Sequence, residues 1–116
     1  MSDKKILGEI GEKIAQEYLI KKNYLIVELN WRYKKAEVDI ISQLKDTLVF
    51  VEVKCRKSDF FERPEQAINH KKEELYRLSA EHYLEVNDLE HEIRFDVISI
   101  IHNNNKTEIE HFISAF

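Results

Sequence analysis

The sequence predicts an α/β domain built as a mixed β-sheet flanked by α-helices, with elements in the order α-β-β-β-α-β-β. Three observations lead there. Two long stretches, one at the N-terminus and one in the second half, repeat apolar residues at the three- and four-residue spacing of amphipathic helices. Five shorter stretches are rich in β-branched and aromatic residues and either alternate or run apolar, as strands do. The second helical stretch lies between the third and fourth strands and gives them the right-handed crossover that parallel neighbours need.

Asp3 to Lys22 is the first helix. Ile6, Leu7, Ile10, Ile14, Tyr18 and Leu19 share its apolar side, Ser2 or Asp3 caps it, and Gly11 leaves room for another element to approach. Tyr24 to Trp31 alternates and makes the first strand. Arg32 to Lys35 is a polar, basic connection, and Glu37-Val38-Asp39-Ile40-Ile41 is the second strand. Ser42 to Asp46 turns the chain, so this strand pairs antiparallel with the third, Asp46 to Cys55. Arg56 to Arg63 lacks periodicity and reads as a loop. Pro64, the sole proline, is expected in the first turn of the second helix. Ala67, Ile68, Leu75, Leu78, Ser79, Ala80 and Tyr83 carry that helix to about Glu85. After an acidic connection, Ile93 to Ile101 is a strand buried on both faces, Asn103 to Lys106 turns, and Thr107 to Phe116 is the last strand.

At 116 residues the chain makes one domain, with a core of its own and no room for a second. Apolar residues are 43% and evenly spread, which excludes disorder as the default. The N-terminus lacks an apolar signal region and no apolar run is long enough to span a bilayer, so neither a signal peptide nor a membrane segment is expected. One cysteine, Cys55, fits a reducing cytoplasm and is expected to pack as a small buried hydrophobe. A net charge of −4 argues against coating nucleic acid non-specifically. The basic residues nevertheless gather, at Arg32, Lys34 and Lys35, at Lys54, Arg56 and Lys57, and at Lys71, Lys72 and Arg77, while acids dominate Glu81 to Glu92. One basic and one acidic face follow.

The third strand carries the chemistry. With a period of two, Leu48, Phe50, Glu52 and Lys54 share one face, and Val49, Val51, Val53 and Cys55 the other. Glu52 and Lys54 stand about 6.7 Å apart along the strand. Charges on a largely apolar strand cost desolvation energy unless something compensates them. On the second strand Asp39 shares a face with Glu37 and Ile41. A register that brings the polar faces together converges two carboxylates and a lysine at the sheet surface. A hard divalent cation takes oxygen ligands, and Asp39, Glu52 and the Val53 carbonyl supply three. Such a site orients water for attack on a phosphodiester, with Lys54 holding that water or neutralising the transition state. The alternative is plain: solvated strand charges paired across the hairpin. Glu12, on the first helix, is either a further carboxylate of the site or an exposed helix charge.

Gly11-Glu12, Asn30-x-Arg32, Glu37-Val-Asp-Ile-Ile41, Leu48-Val-Phe-Val-Glu-Val-Lys-Cys-Arg56, Pro64-Glu-Gln-Ala-Ile68, Arg94-Phe-Asp-Val-Ile98 and the terminal Ala115-Phe116 together resemble the bacterial YraN-like family. That family is grouped with the PD-(D/E)XK, or restriction-endonuclease-like, nucleases and is similar to archaeal Holliday junction resolvases. The resemblance runs from Leu7 to Phe116. It implies a restriction-endonuclease-like fold, Mg²⁺ or Mn²⁺ held by Asp39 and Glu52, Lys54 as the catalytic lysine, and Glu12 as a helix carboxylate of the resolvase kind. Val38 stands where many superfamily members have proline, and Ala36 where this family often has glycine.

Other sites are weaker. The five histidines lack the spacing of a helical metal site and have no cysteine partner, and with Gly8 and Gly11 alone no phosphate-cradling loop can form. Arg32, Arg56, Lys57, Lys71 and Lys72 are expected to contact a nucleic-acid backbone, or else simply to be solvated. Trp31 and Phe95 belong to the core. Phe60 and Phe61 are a cap on the site, a dimer contact or a wedge between bases. Asp96 is expected to hold Arg94 or a backbone group rather than metal. Two classes of function remain: a metal-dependent endonuclease on structured or branched DNA, as a homodimer where both strands are cut, and a nuclease-fold protein that binds nucleic acid or a protein partner without cutting.

Overall fold

The computed structural model describes residues 3–58, 68–104 and 106–116. Its elements are α1 (Asp3–Lys21), β1 (Leu25–Tyr33), β2 (Ala36–Leu44), β3 (Thr47–Arg56), α2 (His70–Val86), β4 (Glu92–Asn103) and β5 (Lys106–Phe112). The strands form one sheet in the order β1-β2-β3-β4-β5. β3 and β4 run parallel, and the other neighbours run antiparallel. This is the mixed sheet, in the order α-β-β-β-α-β-β, that the sequence predicts, and it is consistent with a restriction-endonuclease-like α/β fold.

Each face of the sheet carries one helix because successive strand residues point to opposite sides. Ala15 and Leu19 of α1 pack with Ile40, Val49, Val51, Ile98 and Ile100. Tyr76, Ala80 and Tyr83 of α2 pack with Val38, Ile41, Leu48, Phe50 and Phe95. β4 is buried from Phe95 to Ile100, as its apolar run requires. Gly11 sits against β3 so closely that a Cβ there would stand 2.3 Å from Cys55 Cβ. The glycine thus sets the depth at which α1, and with it Glu12, lies on the sheet.

Asp96 is fully buried and, as expected, holds Arg94 and a backbone group. Arg94 Nε donates to Oδ1 at 2.9 Å and its terminal nitrogen to Oδ2 at 2.8 Å, and the Ser114 amide donates to Oδ1 at 3.0 Å. His111 Nε2 lies 2.7 Å from Oδ2, and Arg94 reaches on to the Tyr24 hydroxyl at 2.6 Å. Burial alone would raise the Asp96 pKa, but His111, Arg94 and the Ser114 amide outweigh it and hold the carboxyl below its ordinary value.

Several boundaries differ from expectation. Half of the basic connection Arg32–Lys35 is strand: β1 runs through Tyr33 and β2 begins at Ala36, with Lys34 at φ 55° and Lys35 making the turn. β2 also extends to Leu44, so Lys45 and Asp46 alone turn into β3. Helix α2 begins at His70, where the Asn69 side chain accepts from the Lys72 amide. Pro64, Ala67, Phe60 and Phe61 lie outside the described residues. Cys55 is half-buried and Leu78 is 46% exposed, short of the burial expected of each. β5 stops at Phe112 because the tail folds back: the Ala115 amide donates to Phe95 O at 2.8 Å, and Phe116 packs on Tyr76 and Phe95.

No described helix is long and apolar enough to cross a membrane.

Candidate functional site

The site lies where two strands part. The β2–β3 ladder runs from Leu44 opposite Thr47 to Ile40 opposite Val51, and the next register position sets Asp39 against Glu52. Beyond it β2 stays with β1, through Trp31 and Val38 to Tyr33 and Ala36, while β3 stays with β4 as far as Arg56 and Ile101. A main-chain group at such a fork loses its ladder partner and needs another. The Val53 N–H finds it in Asp39, donating to Oδ2 at 2.8 Å.

Local backbone geometry aims Asp39 into the fork. Asn30 of β1, which the register sets opposite Asp39, has φ 50°, a left-handed conformation that asparagine tolerates. Side-chain alternation slips there: Val38 and Ile41 both pack on the α2 side, and Ile40 packs on the α1 side. The strict alternation expected to set Asp39 beside Glu37 and Ile41 therefore does not hold.

Glu52 is 4% exposed, on the α2 face with Leu48 and Phe50 as the strand period predicts. The Tyr76 hydroxyl donates to its Oε1 at 3.5 Å. Lys72, one helical turn before Tyr76, places its ammonium on Oε2, which takes no hydrogen bond from any other described group. The Asp39 and Glu52 carboxyls lie close enough to share a proton. Desolvation by burial, the hydrogen bond with Glu52 and the Glu52 charge push the Asp39 pKa up from 3.8 to about 8, against the Val53 N–H, which pulls it down. Glu12 adds to that push, and its own pKa is raised by burial and by Glu37, Glu9 and Glu52, against a hydrogen bond from Asn30. Burial and the two carboxylates raise Tyr76 as well.

A cavity of about 390 Å³ opens on this pair, lined among others by Lys35, Glu37, Asn69, Lys71 and Leu75. Its donors are hard oxygens of the kind that divalent cations take. Among the described residues no three Asp, Glu, His or Cys side chains gather tightly enough to hold a metal by themselves. A third donor would have to come from the main chain, and Val53 is the residue whose amide already faces Asp39.

The structure thus brings Asp39, Glu52 and Val53 together, with Glu12 within electrostatic reach. It does not bring Lys54 into the cavity: that residue is half-buried on β3, opposite Ser99. Of the expected backbone contacts, Lys71 is exposed at the cavity wall and Lys72 is engaged by Glu52. Arg32 is exposed and pairs with Glu37 at 2.7 Å. Arg56 ends β3, and Lys57 lines a separate depression beside Ile6, Ile10 and His102. Tyr76, and Lys72 as the partner of Glu52, went unread in the sequence. The spacing Tyr76-Ala80-Tyr83 marks the packed face of the helix and is the signal for Tyr76, because steps of four and three keep side chains on one face.

A protein-family profile described as "Uncharacterised protein family UPF0102" matches residues 11–100. The chain belongs to this family. A UPF0102 protein of Christiangramia forsetii is 44% identical over 116 residues, covering 100% of this chain and 98% of its own. A UPF0102 protein of Alkaliphilus oremlandii is 42% identical over 115 residues, covering 97% and 98%. One of Thermodesulfovibrio yellowstonii is 41% identical over 110 residues, covering 95% of each chain. The stretch matched by the UPF0102 profile includes Glu12, Asn30, Asp39, Glu52, Lys72 and Tyr76, so every residue of the fork lies inside the region that defines the family.

Proposed function

We propose that this UPF0102 protein is a metal-dependent endonuclease of the restriction-endonuclease-like kind, acting in the cytoplasm on structured or branched DNA. One observation carries the reading: the half-buried Asp39 and the buried Glu52 bring two carboxyls together at a strand fork that opens on a cavity with lysines on its wall. A structural role gains nothing from two like-charged groups kept out of water, whereas a cation site needs them.

Asp39, Glu52 and the Val53 carbonyl would hold Mg²⁺ or Mn²⁺, with Glu12 approaching from α1. The ion, when bound, supplies activation of water and stabilisation of charge on phosphate oxygens. The chain's own groups do the rest. To serve as ligands, Asp39 would have to be ionised and Glu52 would have to be released by Lys72. Lys71 and Lys35 lie where a phosphodiester backbone would pass the cavity. Lys54, on the face of Glu52, is placed to reach the scissile phosphate only if the strand ends shift. Hydrolysis adds the water oxygen to phosphorus and its proton to the leaving sugar oxygen as the P–O bond breaks.

The test is cleavage of labelled four-way-junction, flap, single-stranded and duplex DNA in Mg²⁺ and Mn²⁺, beside Glu52→Ala and Lys54→Ala. Cleavage by the wild type that both variants lose supports the proposal. Metal binding without cleavage of any substrate points to the second reading, a binding protein that does not cut. No metal binding sinks the site.

A further inference from the structure

The β1–β2 turn carries a feature that the carboxylate site does not use. Trp31, Arg32, Tyr33, Lys34 and Lys35 put two aromatic rings and three cations into consecutive residues. Trp31 and Tyr33 lie nearly parallel, at 13° and 6.4 Å between centroids. Tyr33 stacks on His82 of α2 at 4.1 Å and 21°, and Trp31 meets His82 at 6.1 Å. All three rings are only half-buried, so the group keeps accessible ring surface. Around it stand the cations: the Lys34 ammonium is 5.3 Å from the Tyr33 ring centre, the Arg32 side chain is 78% exposed, and Lys34 and Lys35 are exposed. The next residues, Ala36 and Glu37, together with Lys35, line the Asp39–Glu52 cavity.

We infer that this turn is a stacking platform for an unpaired base of a nucleic-acid strand whose backbone runs from Lys34 and Lys35 into the carboxylate cavity. Rings offer a base a surface indifferent to its identity, and cations flanking them suit the phosphates on either side. A paired base already has both faces covered inside the duplex and cannot use the platform. A strand opened at a branch, flap or end can. Chemistry thereby selects an unpaired strand over a continuous duplex. The placement rests on reading the cavity as a phosphodiester site, but strand binding itself needs neither metal nor cleavage.

Trp31 is the only tryptophan, so its fluorescence reports on the platform directly. The full-length protein in EDTA is titrated with a fluorescently labelled oligothymidylate and with a blunt duplex of equal length, following both label anisotropy and Trp31 emission. The expected result is saturable binding of the single strand with quenching of Trp31, and weaker, unquenched binding of the duplex. Tyr33→Ala should weaken single-strand binding on the order of tenfold, with Tyr33→Phe close to wild type. Lys34→Ala should flatten the dependence of log affinity on log salt by about 0.7. His82→Ala, on the helix rather than the turn, gives a second reading should Tyr33→Ala disturb the fold. Unchanged single-strand affinity in Tyr33→Ala or His82→Ala, with folding intact by circular dichroism, overturns the platform. So does equal binding of strand and duplex with a silent Trp31. Failure of the nuclease test with these binding results intact overturns only the cleavage reading.

Discussion

Replacing Asp39 with asparagine should stabilise the protein near neutral pH and remove much of the pH dependence of its folding. In the unfolded chain the Asp39 carboxyl ionises near 3.8, and in the folded state near about 8. Between those values the folded protein holds a proton that the unfolded chain has released. Stability from this group is therefore complete below the lower value and falls as pH rises toward the upper one, by about 1.4 kcal/mol per pH unit. From pH 5 to 7 that is roughly 3 kcal/mol. Asparagine keeps an oxygen for the Val53 N–H, offers an N–H to Glu52 and has no proton to lose, so it copies the protonated acid. Urea unfolding of both proteins at pH 5, 6 and 7 should give Asp39→Asn an advantage of about 1.6 kcal/mol at pH 5 that widens by roughly 3 kcal/mol by pH 7, the widening equivalent to about 10 °C in Tm. Because the step belongs to the pair, Glu52→Gln should flatten the profile too. Parallel pH profiles for wild type and Asp39→Asn would refute the reasoning, since they would mean that Asp39 ionises in the folded protein much as in the unfolded one.

Gly11→Ala should cost about 1–3 kcal/mol, because its Cβ meets Cys55. Gly8→Ala, in the same helix with nothing within 4 Å, should gain up to about 1 kcal/mol, and urea unfolding of the pair separates a packing requirement from helix propensity. Asp96→Ala leaves Arg94 without its carboxylate in a largely buried position and should cost about 3–5 kcal/mol, seen as a fall in Tm. Lys72→Gln removes the cation on Glu52 and should tighten Mn²⁺ binding by about tenfold, worth about 1.4 kcal/mol, in calorimetric titration. Unchanged affinity would mean that Lys72 does not compete for the carboxylate.

The fold was legible because its signals are local. The apolar run from Leu48 to Val51, the alternation before it and the helix between β3 and β4 state the strand pairing without reference to anything distant. Glu52 was legible for the same reason, since a charge in that run conflicts with its neighbours. Lys72 was legible as a cation but not as a partner of Glu52, because its role depends on where α2 crosses β3, and no spacing within α2 reports that. Asn69 as the cap of α2 was not legible, because asparagine caps helices but is as common in turns and loops, so nothing in the sequence singles it out. The slip at Asp39 was invisible for a different reason: it lies opposite a left-handed residue, Asn30, on the neighbouring strand, and nothing in the residues of β2 reports it.

Two buried acidic centres in this protein invite comparison. Asp96 has the Arg94 guanidinium, the His111 ring and the Ser114 amide, so that its charge is satisfied wherever burial would otherwise penalise it. Asp39 and Glu52 have each other, one amide, a long phenol contact and a single lysine that is 32% exposed. If the fork needed only to be held closed, evolution of hydrophobic residues or of a second guanidinium there would be cheaper than a pair of carboxyls that compete for one proton. On the proposed reading, a cation would take the place of the proton and of the lysine at this pair. The two centres lie on opposite sides of one sheet, and they differ in how fully the charge of each carboxylate is met by groups of the chain itself.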